Sequence, residues 1–294
     1  MLWENLREEE FDDAIERSGG LCVVPIGCLE KHGEHLPVGS DYYIAKTIIE
    51  AAAEVEDVMI FPTGHWLGDV SSYRIRERFP AKNYGGIGLD LNTVLRLLEE
   101  LCDEIARNGF RKILLATVHG GNAWILPHFL RIQEKKKKPY ATLIAKPKDY
   151  QSLSPDAFLD IIRSRRTEFP MVTDADIAVM ERWRETGYQG GHANFVETAE
   201  ILSNYPHLVA QDKYEAQRGA GLPTHRADYL FEMGVRTVRY SSANYPNSYS
   251  GLPPYGATQS LGQAMIKLSV ERTVKLFRSI KNDDVCLKAV EMFR

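Results

Sequence analysis

The sequence predicts an α/β fold in which a largely parallel β-sheet is covered by helices on both faces. Short apolar runs recur along the first half of the chain, and their apolar residues are continuous rather than alternating with polar ones. Such runs are typical of strands buried on both faces, as in parallel sheets. Each run is followed by a helical pattern, and the 294-residue chain is long enough for one fold of this kind.

The predicted elements begin with a strand over residues 21–26, an apolar run flanked by glycines. Asp41 is expected to cap the following helix, and residues 58–61 form the next strand. The apolar face of that helix is expected to carry Ile44, Ile48, Ala52 and Val55.

A long Gly-rich, aromatic loop is expected from residue 62 to about residue 91. Asn92 opens the next predicted helix, which Asn108 and Gly109 end. A strand over 113–118, a helix over about 123–135 and a strand over 140–145 follow. Residues 146 to 255 are less regular, with a short helix from about Phe195. A long amphipathic helix comes last, with a stripe formed by Ile266, Val270, Val274 and Phe277.

Composition and charge exclude several classes of protein. The formal net charge of −4 and the absence of a broad basic stripe argue against a nucleic-acid partner. No apolar stretch approaches the roughly 20 residues that span a bilayer, so no membrane partner is expected. The acidic start lacks the pattern of a signal peptide, and the four cysteines are scattered without a CxxC pair. A cytoplasmic location is therefore expected.

The segment 27–41 is the strongest functional signal in the sequence. It places Glu30, His32, Glu34, His35 and Asp41 directly after the first predicted strand. Imidazoles and carboxylates are ligands of zinc, manganese and iron(II), and the interleaved Gly and Pro indicate a loop. In parallel sheets, sites form at the carboxyl ends of strands.

Asp41 and the adjacent Cys28 also have simpler interpretations. Asp41 fits a plain helix N-cap, which its local pattern slightly favours. Cys28 stands beside the motif as a possible ligand, but harder ligands lie nearer, so we expect it to be a small buried apolar residue.

Two further clusters combine histidine with glycine. His119 follows the third predicted strand and precedes Gly120 and Gly121, whose small size allows close approach of backbone or substrate. A hydrogen-bonded core histidine is the alternative. His192 follows another Gly-Gly pair, and Glu197 lies five residues later, where it can equally be charge on a helix surface.

Taken in order, these motifs resemble those of the creatininase family, that is, creatinine amidohydrolase and its relatives. The similarity spans about residues 23 to 275, and it suggests a single creatininase-like domain over residues 1–294. The motifs are Glu30-x-His32-Gly33-x-His35-Leu36-Pro37 with Asp41, then His119-Gly120-Gly121-Asn122, then Gly191-His192-Ala193 with Glu197-Thr198. The resemblance implies a three-layer α/β/α sandwich, usually assembled into a homo-oligomer and often a hexamer.

The resemblance also implies two divalent metal ions per subunit, drawn from zinc, manganese or iron. Glu30 and His119 would bind one ion, His32 the other, and Asp41 would bridge them. Glu197 would supply the remaining carboxylate, because Gly121 stands where creatininase itself carries a glutamate.

A metal-activated water that attacks an amide also needs an acid to protonate the departing nitrogen. We assign that role to His192. Glu34 and His35 are the alternatives, and His35 can instead support the metal ligands by hydrogen bonding.

The leading functional hypothesis is a metal-dependent hydrolase that cleaves an amide, cyclic amide or formamide C–N bond of a small molecule. The alternatives are a non-catalytic oligomeric metal- or ligand-binding protein on the same scaffold and a metal-dependent phosphoester hydrolase. The loop before Phe79 carries Arg74, Arg76 and Arg78 in place of a Glu-His pair of the family. These arginines are expected either on a solvated or subunit-contacting face or against an anionic substrate group.

Overall fold

A four-stranded parallel sheet forms the centre of the molecule, as the continuous apolar runs predict. The computed structural model describes residues 1–62, 68, 85–146, 155–185, 191–214, 228–235 and 249–292. The strands are β1 (Leu21–Ile26), β2 (Met59–Ile60), β3 (Lys112–Thr117) and β4 (Ala141–Ala145), with the spatial order β2-β1-β3-β4. Six residue pairs, from Leu21↔Lys112 to Ile26↔Thr117, fix the register of β1 against β3. This register brings the carboxyl ends of the two strands side by side.

The helices of the described chain lie between and after these strands. They are α1 (Phe11–Arg17), α2 (Ser40–Ala53), α3 (Leu91–Arg107), α4 (Asn122–Glu134), α5 (Pro155–Ser164), α6 (Asp174–Glu185), α7 (Phe195–Asn204), α8 (Asp228–Glu232), α9 (Gln259–Asn282) and α10 (Val285–Met292). A small antiparallel pair, β5 (Gly191–His192) with β6 (Ser250–Gly251), lies outside the main sheet. None of the described helices combines the length and apolar character needed to cross a membrane.

Alternate residues of the central strands face two separate apolar clusters. Cys22 and Val24 of β1 pack in one cluster with side chains of α3 and α4. Leu21 and Val23 pack in the other with side chains of α2 and α9. Because strand side chains alternate between faces, this division places helices on both sides of the sheet. The predicted three-layer α/β/α sandwich with a largely parallel sheet is therefore confirmed.

Helix α7 is held by an unusually close approach of α9. A Cβ atom added at Gly262 of α9 would lie 1.7 Å from the carbonyl oxygen of Ala199 in α7, so only glycine fits there. The packing buries nine of the ten residues of α7, including Glu197. The helix is therefore a fixed platform beside the ends of the strands.

Three local predictions are wrong. The N-cap of α2 is Gly39, whereas Asp41 lies in the first helical turn and its carboxylate contacts His119 instead of capping the helix. Val55 falls after α2 and is 59% exposed. Helix α3 begins at Leu91 rather than at Asn92. Its N-cap is Asp90, whose side chain accepts a hydrogen bond from the Asn92 backbone.

The segment 146–255 contains more helix than predicted, since α5 and α6 both lie within it. They pack on α7 and α9 rather than on the sheet. Arg74, Arg76 and Arg78, expected on a solvated or subunit-contacting face or against an anionic substrate group, lie outside the described residues. The single-domain organisation stays a prediction.

Candidate metal centre

The ends of β1 and β3 bring together three of the predicted ligands. Glu30 follows β1, His119 follows β3, and Asp41 reaches them from the first turn of α2. His119 Nδ1 lies 3.1 Å from Glu30 Oε1 and 3.0 Å from Asp41 Oδ2. We call Glu30, Asp41 and His119 the first triad. Their donor atoms are close enough to bind one metal ion together.

A second group of donors shares the same Asp41 oxygen. His32 Nε2 lies 3.5 Å from Asp41 Oδ2 and 4.0 Å from Glu197 Oε2. We call His32, Asp41 and Glu197 the second triad, and its three side chains are buried. Asp41 therefore belongs to both triads through one carboxylate.

Main-chain carbonyls orient two of the imidazoles. His32 Nδ1 is 3.0 Å from the carbonyl oxygen of Glu30, and because a carbonyl only accepts, this nitrogen donates. The opposite nitrogen, Nε2, is left facing Asp41 and makes no well-formed hydrogen bond within the described part of the chain. A buried imidazole nitrogen without a hydrogen-bond partner, among carboxylates, is what a metal ligand requires.

A main-chain carbonyl also orients His192, but it is bound by the other ring nitrogen. Its Nε2 donates to the carbonyl oxygen of Lys31 over 2.8 Å, which leaves Nδ1 facing Glu30 Oε1 at 3.6 Å. The His192 ring lies beside the His32 ring, with 4.3 Å between centroids. Its side chain is 30% exposed, unlike that of His32, so an incoming molecule can reach it.

The start of α7 fixes the carboxylate of Glu197. Asn194 caps this helix, and its side-chain oxygen accepts hydrogen bonds from the amides of Val196 and Glu197. Ala193 adopts the left-handed backbone conformation, with φ of 54°, and its amide donates to Glu197 Oε2 over 2.6 Å. A non-glycine residue in this region is uncommon and costs free energy, so the surrounding packing must hold it.

The charges within the centre stabilise one another without a metal. Burial disfavours the charged form of His32, but the nearby carboxylate of Asp41, with the charges of Glu197 and Glu30, raises its pKa to about 9. Burial likewise opposes ionisation of Asp41, yet His119 and His32 hold its pKa well below the usual value. Burial opposes the charged form of His119, but the charges of Glu30 and Asp41 raise its pKa well above the usual value. The carboxylate of Asp41 is therefore ionised and suited to binding a cation.

The two remaining candidates lie apart from the triads. Glu34 pairs with Lys31 Nζ at 2.8 Å, and its side chain is 52% exposed. His35 is buried, and its Nε2 donates to Thr198 Oγ1 over 2.9 Å, since that hydroxyl itself donates to the Asn194 carbonyl. His35 thus ties the first motif to α7.

Sequence reasoning missed the features that orient these side chains. These features act through main-chain conformation or tertiary contact. They are the carbonyls of Glu30 and Lys31, the left-handed Ala193 and the hydroxyl of Thr198. No residue pattern in the sequence marks them.

The buried carboxylates of Asp41 and Glu197, the partly buried carboxylate of Glu30 and two inward-facing imidazoles lie at the strand ends of a parallel sheet. Such donors suit hard or borderline divalent cations. An accessible histidine stands beside them. The fold and the site thus define an α/β protein with a candidate divalent-metal centre. Comparison with known proteins narrows this to a family.

The family model for creatininase, described as creatinine amidohydrolase, matches residues 4–277, so the chain belongs to the creatininase family. Creatinine amidohydrolase of Pseudomonas putida is 21% identical over 222 residues, which cover 74% of this chain and 76% of that protein. Membership confirms the family and the class of activity predicted from the sequence, hydrolysis of a C–N bond of a small molecule by a metal-dependent enzyme.

Solved structures share the fold. A manganese creatininase superposes with a TM-score of 0.67 at 18% identity, covering 96% of this chain and 99% of its own. A putative creatinine amidohydrolase from Bacteroides fragilis superposes with a TM-score of 0.60 at 21% identity, covering 90% of this chain and 91% of its own.

Proposed function

We propose that this enzyme cleaves an amide, cyclic amide or formamide bond of a small molecule with two divalent metal ions. The observation that carries the proposal is the sharing of Asp41 Oδ2 between two separate sets of donors. Glu30, His119 and Asp41 would hold one ion, and His32, Glu197 and Asp41 the other. Among the structural relatives, one creatininase is described with manganese and a Glu-to-Gln variant as a Zn–Zn type, so zinc and manganese are the first ions to test.

The proposed chemistry divides between the metal ions and the protein. A pair of divalent ions, when bound, lowers the pKa of a water toward neutrality and polarises the carbonyl of an amide. Asp41 would hold both ions through its one carboxylate. Burial of His32, Glu197 and Asp41 excludes bulk water and strengthens every charge interaction at the site.

His192 is the proposed proton shuttle. Its Nε2 proton is held by the Lys31 carbonyl, so Nδ1 is the nitrogen that takes up and releases a proton. Nδ1 faces the first triad, and the partial exposure of the ring gives it contact with a bound substrate. It would accept a proton from the attacking water and deliver it to the departing nitrogen. Glu34 is the second candidate, although its carboxylate pairs with Lys31 and lies apart from both triads.

One experiment tests the assignment directly. Purified protein, stripped and reloaded with zinc or manganese, is assayed for bound metal and against panels of small amides, cyclic amides, formamides and phosphoesters. We expect about two ions per chain and turnover confined to the C–N bonds. His192→Ala should keep both ions and lower kcat by roughly 10²–10⁴. Loss of an ion from this variant would instead make His192 a ligand, and Glu34 would then be tested as the acid.

The assembly and location are also proposals. By family resemblance we infer a homo-oligomer, with a hexamer favoured. Trp124, directly after the second motif, is 78% exposed in the single chain and is a suitable contact for another subunit. Sedimentation of the metal-loaded protein at several concentrations tests the subunit number. A cytoplasmic location stays a prediction.

A further inference from the structure

Cys28 lies against the first triad and takes no part in the function proposed above. Its Sγ is 3.1 Å from Asp41 Oδ2, and the residue is fully buried. Sγ and the donor atoms of Glu30, Asp41 and His119 all lie within 4.8 Å of one another. The first triad and Cys28 together thus offer four potential donors, whereas the second triad offers three, from Asp41, His32 and Glu197.

Close packing fixes the position of the Cys28 main chain. A Cβ atom added at Gly27 would lie 2.6 Å from the Cα of Tyr42, in the first turn of α2. A Cβ atom added at Gly68 would lie 2.4 Å from the Cβ of Cys28. The backbone at residues 27 and 28 is therefore packed closely against both α2 and Gly68. The thiol is held at the end of β1, beside Asp41.

The separations fit a common metal ion. Zinc–sulfur and zinc–oxygen bonds of about 2.3 and 2.0 Å at a tetrahedral angle place sulfur and oxygen about 3.5 Å apart. The 3.1 Å between Cys28 Sγ and Asp41 Oδ2 differs from this by a few tenths of an ångström. His119 Nδ1 lies 3.0 Å from the same oxygen, a separation that one shared ion also allows.

We propose that Cys28 is a fourth protein ligand of the ion held by the first triad. The inference rests on the proposed two-metal function and adds a residue and a metal preference to it. Binding forms a sulfur–metal bond and releases the thiol proton to solvent. A thiolate favours zinc over manganese, which prefers oxygen donors.

Four protein ligands also change the division of roles between the two positions. A zinc site with four protein ligands is closed, whereas a catalytic site keeps a position free for water or substrate. The second triad, with three protein donors, would then be the position where the reacting water is held.

Cobalt(II) tests the sulfur ligand without relying on activity. Protein stripped of metal and reloaded with cobalt should show a near-ultraviolet sulfur-to-cobalt charge-transfer band that saturates at one equivalent. Cys28→Ser should remove the band, and Cys28→Ala should do the same if the serine variant folds poorly. Cys286→Ser, at a partly exposed cysteine of α10, is the matched control and should keep the band. Zinc preference over manganese at one site should fall by at least ~10-fold in Cys28→Ser.

The outcomes separate this inference from the proposed function. Two retained equivalents of cobalt without a sulfur band in the parent protein would overturn the ligand role and leave the two-metal function intact. Persistence of the band in Cys28→Ser would also overturn it. Failure of the parent protein to retain cobalt, zinc or manganese at all would overturn both.

Discussion

The two triads are built from different kinds of structure. The first triad depends on the sheet, because Glu30 and His119 follow neighbouring parallel strands whose register is fixed by six residue pairs. The second triad depends on α7, a helix that begins more than 150 residues after His32 in the chain. Its carboxylate is placed by helix packing and by the strained Ala193. In the proposed two-metal site, a rigid frame would therefore bind the first ion, and a part that can be loosened separately would bind the second.

Replacing Asp41 by alanine should have the largest effect, because it removes the carboxylate common to both triads. We expect loss of both ions and of measurable turnover. The increase in melting temperature that metal gives the parent protein should also disappear, since bound ligand stabilises only the folded chain. Elemental analysis and calorimetry with and without zinc measure this. Asp160→Ala, at an exposed position of α5, is the control and should behave as the parent. Retention of one tightly held ion by Asp41→Ala would show that the triads are independent.

Glu197→Gln should affect only the second triad. The amide oxygen can still accept the hydrogen bond from Ala193, so the substitution removes a charge and little else. We expect one ion to be retained and kcat to fall at least ~100-fold, because two-metal stabilisation of the reaction is lost. The mirror variant, His119→Gln, should release the other ion. Metal analysis after matched dialysis compares the two, and loss of the same ion from both variants would contradict the assignment.

The first triad was also the part more accessible to prediction from sequence. Glu30 and His119 follow apolar runs, and the rule that sites form at the carboxyl ends of parallel strands applies to both. Asp41 is different, because its local pattern favours a helix cap. Its actual contacts come from His119 and His32, which tertiary structure brings to it.

Glu197 was ambiguous for a related reason. A glutamate near the start of a helix looks the same whether the helix is exposed or buried. Here Gly262, over sixty residues later, allows the close packing that buries it. Helices α5 and α6 were missed because they pack on other helices, so no alternation of strand and helix points to them.

Substitution of Ala193 should weaken the second triad selectively. Valine is poorly suited to a left-handed backbone, and the site is fully buried, so Ala193→Val should destabilise the fold by about 2–4 kcal/mol. Ala193→Gly should stay within about 1 kcal/mol of the parent, because glycine adopts this conformation freely. Denaturant unfolding measures both. Metal titration should show weaker binding of one ion in the valine variant, and equal weakening of both ions would argue against a local effect.

His35 should make the free energy of unfolding depend on pH, with a smaller effect than the substitutions above. Burial first, and then the charge of His32, lowers the pKa of His35 from 6.5 to about 4 in the folded chain. Below pH 6.5 the unfolded chain takes up a proton that the folded chain refuses, so stability is lost as the pH falls toward 4. The shift corresponds to at most about 3 kcal/mol.

The variant His35→Gln should remove this part of the pH dependence. Unfolding of the metal-free protein at pH 7 and pH 4 measures the difference between variant and parent. His207→Gln, at an exposed histidine, is the matched control. An NMR titration that places the pKa of His35 near 6.5 would contradict the prediction.

The hydrogen bond from His192 to the Lys31 carbonyl affects how the family can diversify. The atom that orients the imidazole belongs to the peptide unit, which every amino acid carries. A mutation at position 31 can therefore change the side chain while the main-chain carbonyl continues to orient the His192 imidazole. Position 31 is one place where natural variation or laboratory selection can test new contacts to a substrate while this imidazole keeps its orientation.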